Sequence, residues 1–68
     1  MAIKVGGMHM TEIEALKLAL IKEQASIDLY KDLVQKHSSL RDLGSFLLNE
    51  EFKHQKMIEE KIVELTRY

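Results

Sequence analysis

Apolar residues recur along the first half of the chain at alternating intervals of three and four residues. The repeat, which includes two polar members, comprises Ile13, Leu16, Leu20, Glu23, Ile27, Tyr30 and Val34. This spacing keeps the side chains on one side of an α-helix and is typical of helices that pack side by side in a left-handed bundle. No glycine or proline occurs between Thr11 and Gly44. The pattern therefore predicts a first helix over about residues 11–36.

A second repeat begins after a short polar break that holds Lys36, His37 and two serines. Cationic side chains suit the negative end of a helix, and a serine followed by Asp42 is favourable at the start of the next one. The second repeat comprises Leu40, Leu43, Leu47, Glu51, His54, Ile58, either Ile62 or Lys61, and Leu65. A second helix is predicted over about residues 40–66.

The ends of these segments carry further local signals. Thr11 and Glu14 have the spacing of a capping box, in which each side chain accepts a hydrogen bond from the other residue's backbone amide. Residues 1–10 contain Gly6 and Gly7 and show no helical repeat, which predicts a flexible N-terminal leader. Gly44 lies early in the second helix, where glycine costs about 1 kcal/mol relative to alanine. Its presence indicates that the two helices approach closely there.

The apolar surface of the first helix is too wide for one partner helix to cover. A second row consists of Ala15, Leu18, Ala25, Leu29 and Leu33. On the second helix, Phe46, Phe52 and Met57 flank the repeat and are interpreted as packing or dimer surface. A chain of 68 residues without cysteine buries little apolar area and has no disulfide to compensate. We therefore predict an all-α protein, an antiparallel two-helix hairpin that dimerises into a four-helix bundle.

Charge and composition narrow the function classes. Ten basic and eleven acidic residues give a net charge of -1, which does not favour nucleic acid as a partner. The longest apolar run, residues 18–21, is far shorter than the roughly 20 residues that a membrane helix needs. No basic segment followed by an apolar one marks a secretory signal. We expect a cytoplasmic protein that does not interact with membranes.

Ionisable residues interrupt both repeats near their middles. These are Glu23 in the first helix, and Glu51 and His54 in the second. A buried carboxylate is tolerated only when it is paired, protonated or bound to a metal, and no Lys or Arg occupies a matching position in the repeats. In an antiparallel hairpin that turns near Ser38, the three residues lie at similar distances from the turn and therefore at one level. The pattern predicts one carboxylate and imidazole cluster.

One hairpin supplies too few ligands to enclose two metals, but a homodimer doubles them to four carboxylates and two imidazoles. Four ionised glutamates carry a charge that two divalent cations neutralise. Carboxylate oxygens together with imidazole suit iron, manganese or zinc. The expected cofactor is iron, two per dimer, with manganese or zinc as alternatives.

These residues resemble those of the ferritin-like di-iron carboxylate superfamily, in particular its rubrerythrin-type branch. The resemblance covers about residues 16–58 and rests on Glu23 with Tyr30 seven residues later, and on Glu51-Phe52-Lys53-His54. In that family a Glu from each of two helices and Glu-x-x-His from the other two hold the metals. The resemblance implies that Glu23, Glu51 and His54 are metal ligands. It also implies that Tyr30 forms hydrogen bonds near the metal centre.

Family members with both hairpins in one chain have no need of a partner, whereas this hairpin is expected to form a homodimer or a larger even-numbered oligomer. The resemblance implies a ferroxidase, or an oxidoreductase that reacts with peroxide or dioxygen. No cysteine-rich segment of the rubredoxin type is present to deliver electrons. Two alternatives stay open: a metal-binding module without turnover, and a non-enzymatic helical dimer in which the polar residues set only the pairing.

Overall fold

The computed structural model describes residues 10–67 and contains two long helices joined by a tight turn. Helix α1 spans Glu12–Lys36, a 3-10 turn spans Ser38–Leu40, and helix α2 spans Arg41–Thr66. The described chain is all-helical, without strands, as the sequence predicts. The first and last residues of both helices agree with the prediction to within one residue. The predicted leader falls outside the described residues except for Met10, which is exposed.

Helix α1 begins with the predicted capping box. The Thr11 hydroxyl accepts a hydrogen bond from the Glu14 amide at 3.1 Å, and Glu14 Oε1 accepts one from the Thr11 amide at 2.9 Å. The bond from the Thr11 backbone, followed by that from its side chain, lowers the pKa of Glu14. The prediction is confirmed, and the first turn has two of its otherwise free amides satisfied.

The connection between the helices is made by backbone hydrogen bonds. His37 is the C-cap of α1, and its amide donates to the Leu33 carbonyl at 3.0 Å. The Leu40 amide donates to the His37 carbonyl at 2.9 Å, which closes the 3-10 turn. Leu40 then precedes α2 without any side-chain cap. The predicted serine cap is therefore wrong, because the serines lie inside a turn that runs directly into α2.

The helices approach closely near the turn, where Gly44 is buried. A Cβ atom at this position would lie 2.5 Å from Val34 Cγ2 and 3.1 Å from Leu33 Cδ2, so any larger residue would have to displace the Val34 side chain. The expectation of a close approach at Gly44 is confirmed. Midway along α1, Ile27 is the only large side chain in the described residues that is fully buried. The repeat residue Ile62 is half-buried and Lys61 is exposed, which decides between those two candidates.

Much of the predicted apolar surface is open to solvent in the single hairpin. Leu40, Leu43 and Leu65 of the second repeat are exposed, because one helix covers only part of another's circumference. Phe46 and Met57 each expose 60% of their surface. Within residues 10–67, neither helix has the combination of length and apolarity that crossing a lipid bilayer would require.

Candidate metal centre

Three ionisable side chains meet at one level of the hairpin, as the repeat predicts. Glu23 projects from α1, while Glu51 and His54 project from α2, one helical turn apart on a shared side. His54 Nδ1 lies 3.5 Å from Glu23 Oε2 and 3.4 Å from Glu51 Oε1. One potential ligand atom from each residue lies within 4.8 Å of the other two. The hairpin therefore brings the cluster together within a single chain.

Burial differs among the three side chains. Glu51 exposes 16% of its side chain, Glu23 exposes 24% and His54 exposes 46%. The Oε2 atom of Glu23 is shielded from solvent and has no hydrogen-bond donor. A buried acceptor without a donor costs about 1–3 kcal/mol, and more when it is charged. A proton or a cation at this oxygen would remove that cost.

The two carboxyl groups also perturb each other. A hydrogen bond shared with Glu23, then burial, then the negative charge of Glu23 raise the pKa of Glu51 above its ordinary value of 4.5. His54 opposes this shift without cancelling it. A proton held between two carboxylates is what an incompletely neutralised pair is expected to show. A divalent cation would replace that proton and relieve the same repulsion.

The donor set fits a transition-metal cation. Carboxylate oxygens and imidazole nitrogens bind zinc at about 2.0–2.2 Å in tetrahedral geometry, so two ligands of one ion are about 3.4 Å apart. The three ligand atoms lie within 4.8 Å of one another, so binding one ion requires the most distant of them to draw together by about 1 Å. One hairpin leaves coordination positions free on its open side. A second hairpin, water or a substrate can fill them.

The hairpin has two unlike broad faces. Consecutive helical residues diverge by about 100°, so Glu23 and His54 point to one face while their neighbours Gln24 and Gln55 point to the other. We call the first the site face and the second the amide face. The site face carries Ala15, Ala19, Glu23, Ser26, Tyr30 and Leu33 from α1, and Leu43, Phe46, Glu50, His54, Met57 and Lys61 from α2.

The composition of the two faces identifies the one that is suited to pairing. On the site face α1 presents no Lys or Arg, and its small residues Ala15, Ala19 and Ser26 allow close approach. On the amide face α1 presents Lys17, Gln24, Asp28, Lys31 and Gln35, all of them polar and exposed. On α1 the site face is therefore the less polar of the two, and Glu23 and His54 lie on the site face.

Tyr30 is half-buried on the site face but does not belong to the cluster. It lies seven residues from Glu23, which corresponds to about 10 Å along the helix axis. The hydrogen bonds found within residues 10–67 do not include its hydroxyl group. The structure therefore brings together Glu23, Glu51 and His54, while the expected role of Tyr30 stays a prediction.

Two cross-helix contacts on the amide face have no counterpart in the sequence reasoning. Gln55 Nε2 donates to Gln24 Oε1 at 3.1 Å, and the Lys31 ammonium lies 5.9 Å from the centroid of the Phe52 ring. The only sequence signal for the amide pair was that each glutamine directly follows a predicted ligand. Phe52 is predicted to belong to the packing or dimer surface, and in the hairpin its ring lies within cation–π range of the Lys31 ammonium.

Comparison of the chain with protein-family models, with curated proteins and with solved structures gives no match. The ferritin-like resemblance therefore stays a prediction that rests on the residues quoted for it. The Glu23, Glu51 and His54 cluster is independent of that resemblance, because the geometry of the hairpin defines it.

Proposed function

We propose that the protein is a di-metal carboxylate protein whose centre forms between two copies of the chain that pair through their site faces. The Glu23, Glu51 and His54 side chains of the two copies together hold two cations. The proposed metal is iron, with manganese or zinc as alternatives. The observation that carries the proposal is the shielded Glu23 Oε2, which has no hydrogen-bond partner and lies 3.5 Å from the imidazole Nδ1 of His54.

Charge and surface support the pairing. Four ionised glutamates from two chains balance two divalent cations, so the filled centre is neutral, whereas the empty one contains like charges that repel. Pairing also covers exposed apolar surface around the cluster, notably Phe46 and Met57. A four-helix bundle is the arrangement in which helices with such apolar stripes bury them.

Reaction with peroxide or dioxygen is the proposed activity. Two bound ferrous ions would supply one electron each, enough to reduce one peroxide, with two protons, to two waters. The protein side chains have other tasks. Glu23 and Glu51 neutralise the cations, the His54 imidazole adds a neutral nitrogen ligand, and the apolar site face excludes water from the centre.

Metal loading tests the proposal. Protein freed of metal with a chelator and titrated anaerobically with ferrous iron should bind about one ion per chain, two per dimer. Sedimentation of the same samples should show that the loaded protein is dimeric or a larger even-numbered oligomer. Addition of peroxide should then oxidise the bound iron faster than free iron under the same conditions.

Matched variants give the controls. His54→Ala and Glu51→Gln should abolish stoichiometric binding, whereas Glu60→Gln, which removes an exposed carboxylate from the same helix, should leave it unchanged. Absence of stoichiometric uptake by the wild-type protein would favour the non-enzymatic helical dimer. Uptake without peroxide-dependent oxidation would favour a metal-binding module without turnover.

A further inference from the structure

A hydrogen-bonded chain of three side chains spans the two helices on the amide face, directly behind the metal-ligand cluster. Gln55 Nε2 donates to Gln24 Oε1 at 3.1 Å, and Gln24 Nε2 donates to Asp28 Oδ1 at 3.0 Å. Each glutamine follows a cluster residue in sequence, since Gln24 is next to Glu23 and Gln55 is next to His54. The bond therefore joins the helices at the level of the cluster.

We infer that the Gln24–Gln55 bond is a positioning device for the metal centre, one that fixes the height of Glu23 on α1 relative to His54 on α2. The inference rests on the proposed function. Neither glutamine touches a metal; both act through the neighbouring ligand. Glu51 and His54 already share one helix and keep their spacing without help. Only the Glu23 ligand depends on how the two helices are aligned.

The direction of the bond is set by the chemistry of its members. The Asp28 carboxylate can only accept hydrogen bonds, so it orients the amide nitrogen of Gln24 toward itself and leaves Oε1 to face α2. Gln55 must then present its own nitrogen. A slide of one helix by a single residue, about 1.5 Å, would break this bond. Apolar contacts between the helices lack such directionality.

If the two helices are less firmly aligned, fewer hairpins have the geometry that binds metal, and the apparent metal affinity falls. Metal sites need their ligands held within about 0.5 Å of the binding geometry. When only a fraction of the molecules has that geometry, the apparent dissociation constant rises by the inverse of the fraction. The net contribution of one hydrogen bond limits the effect to about threefold to tenfold.

Zinc affinity measured against a chromophoric competitor tests the inference. Gln24→Ala and Gln55→Ala should each weaken Zn²⁺ binding by about threefold to tenfold. The double variant should bind Zn²⁺ no more weakly than the weaker-binding single variant, because either change removes the same hydrogen bond. Gln35→Ala is the matched control, since it removes an exposed glutamine from the same face of α1 and should bind like the wild type.

A second readout needs no metal. The described residues and the leader contain no cysteine, so Ala25→Cys with Lys56→Cys allows nitroxide labels to be placed on the two helices. In metal-free protein diluted with unlabelled chains, Gln24→Ala should broaden the distance distribution between the labels, and Gln35→Ala should not. Urea unfolding of each variant separates this effect from a general loss of stability.

The outcomes distinguish the two levels of the proposal. Binding of neither Zn²⁺ nor ferrous iron by the wild-type protein would overturn the proposed function, and the positioning role with it. Wild-type binding together with unchanged affinity in Gln24→Ala, or losses that add in the double variant, would overturn the positioning role alone. An unchanged distance distribution in Gln24→Ala would overturn it as well.

Discussion

Replacement of Glu23 by leucine separates the stability of the hairpin from its capacity to bind metal. About three-quarters of the Glu23 side chain is buried, and its Oε2 atom lacks a donor. Removal of an unsatisfied buried oxygen should raise the unfolding free energy of the metal-free protein by about 1–3 kcal/mol, and the leucine adds apolar contacts at the same site. For a domain of this size, 1 kcal/mol corresponds to about 4–8 °C in Tm.

The same substitution should abolish stoichiometric metal uptake. It removes two of the six proposed ligands of a dimer and half of the negative charge that balances the cations. Urea unfolding of the chelator-treated protein measures the first effect, at one fixed chain concentration because pairing makes stability depend on concentration. Ferrous iron titration measures the second.

Glu60→Leu is the control, because it makes the same chemical change at an exposed position of α2. Its unfolding free energy should stay within about 0.5 kcal/mol of the wild type, and its metal uptake should be unchanged. If the unfolding free energy of metal-free Glu23→Leu is more than about 1 kcal/mol below that of the wild type, the Glu23 carboxylate already has hydrogen-bond partners in the folded chain. Full metal uptake by that variant would exclude Glu23 as a ligand. Either result refutes the reasoning.

Three further predictions concern the hairpin. Gly44→Ala should lower the unfolding free energy by about 1–3 kcal/mol despite the better helix propensity of alanine, because the new methyl group meets Val34; thermal unfolding beside Ser45→Ala, an exposed control, tests this. The raised pKa of Glu51 means that the folded metal-free chain binds this proton more tightly than the unfolded one, so its contribution to stability is present at low pH and is lost as pH rises from 4.5 through the raised value. Glu51→Gln should flatten that decline in urea titrations, and an equally steep decline would contradict the assignment. Thr11→Ala should cost about 1 kcal/mol by removing the capping box, and an unchanged Tm would mean that the cap contributes nothing.

The two helices and the position of the cluster along them can be predicted from the amino-acid sequence alone. Local signals were sufficient for the helices, because the apolar repeat, the Thr11 and Glu14 capping box and the absence of glycine between Thr11 and Gly44 act within a few residues. The level of the cluster in the hairpin follows from counting residues from the turn. Helices rise by a fixed distance per residue, so equal separation from the turn puts Glu23, Glu51 and His54 at one level.

The serine cap was predicted wrongly because such a cap depends on where the backbone ends one helix and begins the next. Sequence preference favoured Ser38 or Ser39, but the hydrogen bond from Leu40 to His37 makes a 3-10 turn that enters α2 directly. The exposure of individual apolar side chains could not be predicted from the repeat alone either. Leu43 follows the apolar period and is still open to solvent, because its burial requires atoms from outside the hairpin.

Which atoms meet across the two helices depends on how the helices pack, and the sequence pattern does not specify it. The shielding of Glu23 Oε2, the contact with Glu23 that raises the pKa of Glu51, and the bond between Gln24 and Gln55 each depend on side-chain directions from both helices at once. A periodic pattern specifies the face and height of a residue, whereas a hydrogen bond depends on distances of a few tenths of an ångström. That precision arises only when the two helices are packed together.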